Sequence, residues 1–203
     1  MMEIIRPFAP IVGADTINEE HEKISGVFID SNNGGYGNGV QASKDRRILE
    51  KYPILKKILL NKFYEFIKES NLNYNNRFDI STSWLTKSEN KQQCVKHSHK
   101  NCFYSGVYYY GDRYDSNCGN LILSSPVQAL SDFLIVPESW NCFNSYTFQI
   151  YPQPSLVVFF PSYIVHKFES NYSNNPRYSL AFNIVPIGFY GEGDSSYDTS
   201  WFN

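Results

Sequence analysis

The spacing of apolar positions changes once along this chain, near residue 76. Before it, Ile48, Leu49, Tyr52, Leu55, Ile58, Leu59, Phe63 and Phe66 recur at helical spacing, which lays one stripe of a helical region against a core. Ser43 reads as the N-cap of that region and Asp45 as its first-turn acid. Pro53 interrupts the stripe, so two helices are expected, the second beginning at about Pro53 and ending near Ser70 to Asn75. Upstream, EIIRPF (3–8) reads as a short edge strand limited by Pro7. Residues 16–26 read as a short helix or loop in which His21 is a solvated surface residue among glutamates, and 31–39 as a Gly/Asn-rich loop.

After residue 76 the pattern becomes short. FDISTSWLT (78–86), QCVKHSH (93–99), CFYSGVYYY (102–110), GNLILSS (119–125), DFLIVP (132–137), SYTFQIY (145–151), SLVVFFP (155–161), IVHKFES (164–170) and RYSLAFNIV (177–185) each read as a strand, with turn residues between them. Many short strands without intervening helices predict a β-sandwich or barrel. The fold class is therefore mainly β with N-terminal helices. Its parts are an N-terminal strand and helices over 1–76, a β core over 77–190 and a polar tail over 191–203 whose Trp201 and Phe202 dock back. At 203 residues one structural domain is expected.

Composition narrows this little. Aromatic residues make up 17%, which suits strands and lined pockets. A formal net charge of -2 gives no electrostatic footprint for nucleic acid. No apolar run has the length of a membrane span, and the start MMEIIRPFAP lacks a signal-peptide pattern. The expected location is the cytoplasm. Cys94, Cys102, Cys118 and Cys142 form no CxxC pair and are expected as free thiols. A homodimer is left open.

The chemistry concentrates in CVKHSHKNCFYSGVYYY (94–110). His97 and His99 stand at i, i+2, so on an extended segment they project from one face and can share a metal ion. His166 is a candidate third ligand from another strand. In RYSLAFNIV, Arg177, Ser179, Ala181 and Asn183 share one face, while Tyr178, Leu180, Phe182 and Ile184 share the other. The first face suits a pocket, with Arg177 as a bidentate clamp for a carboxylate and Ser179 adding a hydrogen bond. Tyr109 has the same parity as His97 and His99, which makes it the candidate pocket hydroxyl if no bulge intervenes. Gly106 marks a close backbone approach.

The ordered set HSHKNCFYSGVYYY, GNLIL, SLVVFFPSYIVHKFESN and RYSLAFNIV resembles the 2-oxoglutarate/Fe(II) oxygenase family found in marine bacteria and their phages, similar to prolyl-4-hydroxylase-type enzymes. The resemblance covers roughly 78–186. It implies a double-stranded β-helix (a jelly-roll, cupin-like core) and an oxygenase that uses Fe(II), O2 and the cosubstrate 2-oxoglutarate to hydroxylate a substrate. It further implies His97, His99 and His166 as iron ligands, Arg177 on the distal carboxylate of 2-oxoglutarate with help from Ser179 and Tyr109, and Asn101 and Asn183 in the pocket lining. If the gene is phage-borne, the cytoplasm is the host's. One departure is chemical: the broader superfamily carries HxD or HxE, and His99 stands where the carboxylate would be. A neutral imidazole there leaves the metal with one more net positive charge. Two other readings stand beside this one: a three-histidine cupin-like metalloenzyme that does not use 2-oxoglutarate, and a non-catalytic phage structural or binding module. The primary substrate, whether protein, nucleotide or small molecule, is not legible. Residues Pro126 to Asn144, with Phe133, Trp140 and Phe143, are expected to shape the entrance.

Overall fold

The structure of the protein, a computed structural model, describes residues 9–30, 39–72, 74–127, 136–141 and 144–200. The expected strand at 3–8, Phe133, Cys142, Phe143, Trp201 and Phe202 lie outside the described residues.

Among the described residues there are twelve strands, one α-helix and two short 3-10 turns. The strands are β1 (Gly13–Thr16), β2 (Phe28–Asp30), β3 (Gln41–Ser43), β4 (Arg77–Ser88), β5 (Tyr104–Tyr108), β6 (Leu121–Ser124), β7 (Thr147–Ile150), β8 (Leu156–Pro161), β9 (His166–Phe168), β10 (Arg177–Ile187), β11 (Phe189–Tyr190) and β12 (Tyr197–Asp198). The helix α1 runs Pro53–Glu69.

The large sheet has the order β1-β8-β5-β10-β4-β3-β2, and a small one the order β7-β6-β9. Every strand pair is antiparallel. The segment around His97 extends the small sheet beyond β9 through one bridge, His97 to His166. From β5 to β10 the chain passes back and forth between the two sheets, the jelly-roll arrangement of a double-stranded β-helix.

Alternation along the central strands gives the large sheet two faces with different tasks. On one, Leu180, Phe182 and Ile184 of β10 and Tyr104 and Tyr108 of β5 pack with Leu55, Leu59 and Phe63 of α1. On the other, Val107, Tyr109, Val158 and Phe160 meet Leu121, Leu123 and Ile150 of the small sheet. Gly106 is required at the crossing of β5 and β10, because a Cβ there would lie 2.2 Å from Cζ of Phe182. The close neighbour at this glycine is a side-chain ring, where the sequence predicts a backbone approach.

The helical region differs from the expectation in its first half. Ser43 ends β3 instead of capping a helix, and its hydroxyl accepts from the Leu85 amide at 3.0 Å. The Asp45 carboxylate accepts from the Arg47 amide at 2.8 Å, closing a local turn. In place of a first helix the chain makes only a 3-10 turn, Ile48–Lys51. The second helix does start with Pro53 at its first position and is capped at Ser70. Its N-terminal amides are satisfied from afar: Glu22 accepts from Ile54 at 2.8 Å and from Leu55 at 3.1 Å. His21 is half-buried, not solvated; its Nε2 meets the Tyr108 hydroxyl at 2.8 Å. Three short strands, β1 to β3, have no counterpart in the sequence pattern. The tail is not wholly polar coil either, since β11 and β12 form a hairpin and Thr199 donates to the carbonyls of Pro186 and Gly188 at 3.1 Å. Cys94, Cys102 and Cys118 are free. No helix among the described residues is long and apolar enough to cross a membrane.

Candidate metal centre and anion pocket

The two sequence-distant histidine segments are joined by backbone. His97 N–H donates to His166 O at 2.9 Å and His166 N–H donates to His97 O at 2.8 Å, the reciprocal pairing of an antiparallel ladder. The Pro161–Ser162 corner delivers β9 to this position, with Ile164 N–H donating to Pro161 O at 2.9 Å. His99 is tied one step on, its N–H donating to Ser162 O at 3.0 Å.

These ties stack the rings of His97 and His99 with centroids 5.1 Å apart and bring His166 to 4.4 Å from His97 and 5.1 Å from His99. One ligand atom from each of the three lies within 4.8 Å of the others. Two nitrogens on one cation with bonds of about 2.1 Å stand at most about 4.2 Å apart, so small side-chain adjustments close the set.

The protonation pattern suits a metal. Nδ1 of His97 faces Val95 O at 2.8 Å, Nδ1 of His166 faces Ile164 O at 3.0 Å, and Nδ1 of His99 faces the Asn183 Oδ1 at 2.5 Å. With Nδ1–H donating, each Nε2 keeps its lone pair for a cation. Burial, with His97 adding to it, pushes His166 down to about 3. His99 is lowered for the same first reason, burial. Both are neutral imidazoles at physiological pH.

Behind the histidines, the inner face of β10 continues to Arg177, which is 2% exposed. Its Nη1 donates to the carbonyls of Cys118 at 2.6 Å, Gly119 at 3.0 Å and Glu169 at 3.1 Å, and its Nη2 donates to Ser88 Oγ at 3.1 Å. Its guanidinium lies 4.8 Å from the Phe168 ring centroid. None of the ion pairs among the described residues includes it. A buried cation held only by neutral acceptors is costly unless an anion joins it. Tyr109 shows the complementary defect: it is fully buried and its hydroxyl has no hydrogen-bond partner among the described residues. Burial raises its pKa, with the Arg177 charge working against that, so the phenol stays a donor.

Between Arg177 and the histidines lies a cavity of about 30 Å3 lined by Trp84, Cys94, His166, Phe168 and Arg177 among others, and neither Tyr109 nor Ser179 is in its lining. That is room for about two waters, so a five-carbon diacid enters only if a wall moves. Ser179 sits in the same face, its hydroxyl 2.6 Å from Thr86 Oγ1. Asn101 stands elsewhere, in a neighbouring cleft of about 870 Å3 walled by Tyr74, Phe103, Tyr190 and Tyr197; Asn183 also lines that cleft while its Oδ1 reaches His99. Trp140 is exposed. Ser88, Thr86 and Trp84 escaped the sequence reading, although alternation along β4 (Thr82, Trp84, Thr86, Ser88) marks them as one inward face.

A sequence-family model described as "Putative 2OG-Fe(II) oxygenase" matches residues 82–183, the span from β4 through the histidines to β10. No curated protein matches the chain. Among solved structures, the chain is similar to an oxidoreductase of the 2OG-Fe(II) oxygenase family from Burkholderia pseudomallei, at 12% identity over 83% of this chain and 74% of that one, TM-score 0.52. It is similar to a Pseudomonas putida prolyl-4-hydroxylase at 11% identity over 77% and 76%, TM-score 0.50. It is also similar to HygX from Streptomyces hygroscopicus, solved with nickel and 2-oxoglutarate bound, at 10% identity over 84% and 78%, TM-score 0.52. At these identities the likeness speaks for the fold.

Proposed function

The chain belongs to the 2OG-Fe(II) oxygenase family, and from that premise we propose that His97, His99 and His166 hold its iron while Arg177 and Tyr109 hold the distal carboxylate of its 2-oxoglutarate. When bound, the iron supplies the redox chemistry by which O2 oxidatively decarboxylates 2-oxoglutarate and a substrate C–H bond is hydroxylated. The chain's own residues supply position and charge. Three clustered imidazoles, each with Nδ1 turned to an oxygen acceptor, leave their Nε2 lone pairs available to one cation. Arg177 offers the fixed cation a carboxylate needs, and Tyr109 the spare O–H. Trp84, Phe160 and Phe168 wall the cavity and keep bulk water from competing for these groups. Ser179 completes the face by bonding Thr86, which orients the β4 wall.

The observation that carries this reading is the pairing of a converging histidine set with a buried guanidinium that has no carboxylate partner among the described residues. Calorimetry decides it: 2-oxoglutarate binds the Co(II)-loaded protein anaerobically, and Arg177→Met removes that binding. Well-metallated wild type that binds no 2-oxoglutarate would overturn the reading and favour a three-histidine enzyme acting without that cosubstrate. We place the protein in the cytoplasm, where the free thiols Cys94, Cys102 and Cys118 persist.

A further inference from the structure

Two of the three histidine tautomers are set by groups that can only accept. Val95 O and Ile164 O are backbone carbonyls; they hold the proton on Nδ1 of His97 and His166 whatever the side chains do. His99 is different. Its Nδ1 faces two side chains, the Asn183 amide at 2.5 Å and the Ser105 hydroxyl at 3.0 Å, and each of these can present either an acceptor or a donor. Turned one way, Asn183 receives the Nδ1 proton and Nε2 of His99 points its lone pair at the other two rings. Turned the other way, its NH2 occupies the Nδ1 lone pair, the proton moves to Nε2, and His99 cannot ligate.

The surroundings favour the first orientation. Asn183 Nδ2 donates to Thr82 Oγ1 at 2.8 Å, and Asn183 Oδ1 accepts from Ser105 Oγ at 2.9 Å as well as from His99. Ser105 is held in turn by Ser162 Oγ at 3.1 Å. Thr82 and Asn183 stand directly opposite each other in the β4–β10 ladder, and the register shifts just past them, between Asn183 and Ile184. Such an irregularity turns a side chain out of the simple pleat. Three side chains from three separate segments, His99, Ser105 and Thr82, therefore converge on one amide.

We infer that Asn183 is a positioning residue that holds His99 in its metal-ligating tautomer, with Thr82 and Ser105 fixing the direction of the amide. The inference rests on the metal reading above. It also explains how a histidine can stand where relatives of the broader superfamily carry a carboxylate: its ring is oriented from β10 and β5, since His99 itself lies outside any strand.

The test uses the full-length apo protein and Co(II) as probe, with affinity read by calorimetry and geometry by the visible Co(II) absorption bands. Asn183→Leu, which keeps the size and removes the acceptor, weakens Co(II) binding about 10- to 100-fold, the loss typical of groups behind a ligand, and alters the bands. Asn183→Asp, which can only accept, binds Co(II) at least as tightly as wild type. Thr82→Val and Ser105→Ala together, which free the amide to turn, give an intermediate loss and decide the question if Asn183→Leu does not fold. Wild-type affinity and bands in Asn183→Leu or in the double variant would overturn the inference, as would Asn183→Asp losing as much as Asn183→Leu. Wild type that binds no Co(II) would instead remove the metal reading itself.

Discussion

Arg177 and Tyr109 lean on the same ring, Phe168, with the guanidinium 4.8 Å and the phenol 6.5 Å from its centroid. Among the described residues neither reaches an acid, the cation is satisfied by carbonyls and a hydroxyl, and the phenol has no partner. Tyr109→Phe therefore separates stability from binding. Removing an unsatisfied buried hydroxyl leaves the protein without 2-oxoglutarate as stable as wild type or up to about 1 kcal/mol more so. Losing a hydrogen bond to a charged carboxylate costs about 1.5–3 kcal/mol of cosubstrate affinity, roughly 10- to 100-fold. Urea melts and calorimetry with 2-oxoglutarate measure the two effects on one preparation.

Metal binding is expected to stabilise the fold, because the three rings converge only in the native chain. At a Co(II) concentration 100 times its Kd the gain is about 2.7 kcal/mol, which for a domain of this size raises Tm by about 5–10 °C. His166→Ala abolishes the shift. A Tm in His166→Ala that still climbs with Co(II) would show that the cation sits elsewhere.

Acid should destabilise the apo protein through His166. Its folded value of about 3 lies below the ordinary 6.5, so between those values the unfolded chain binds a proton that the folded one refuses. Stability then falls as pH drops from 6.5 toward 3, by up to about 1.4 kcal/mol per pH unit from this group. In His166→Gln the slope of unfolding free energy against pH, measured by urea melts, is shallower over that window by this amount.

The chemistry was more legible than the frame around it. The inward set Arg177, Ser179, Ala181 and Asn183 comes from alternation on one long strand, and β10 is long enough for the pattern to repeat. The strands β1, β2 and β3 have three or four residues each, too few to show a period. Ser43 and Asp45 carried a helix-start signature that a strand end and a tight turn use equally well. The partnership of His99 with Asn183 spans 84 positions, and only the β10–β5 pairing of Asn183 with Ser105 brings the amide there.

Glu22 tests the frame without touching the site. Burial works to raise its pKa, but the amides of Ile54 and Leu55 leave the carboxyl below its usual value. Glu22→Ala costs about 1 kcal/mol of stability, with Co(II) affinity unchanged. A cost confined to pH above the carboxylate range, and absent in acid, identifies the lost contact as ionic.

Gly106→Ala presses a methyl into Phe182 on the side of the sheet away from the histidines. The expected cost is about 1–3 kcal/mol, seen as a lower urea midpoint with the denaturant slope unchanged. Trimming the opposing ring in Phe182→Leu relieves part of it.

The two-faced β10 implies a readable signature in any saturation library built on that strand. Changes at Leu180, Phe182 and Ile184 should deplete soluble protein, whereas most changes at Arg177 and Asn183 should leave yield largely intact and weaken Co(II)-dependent 2-oxoglutarate binding. Sorted by residue number, variants lost from a yield selection would fall on even positions and variants that keep yield but lose that binding on odd ones, so the reach of the site along the strand could be mapped by counting clones before the primary substrate is known.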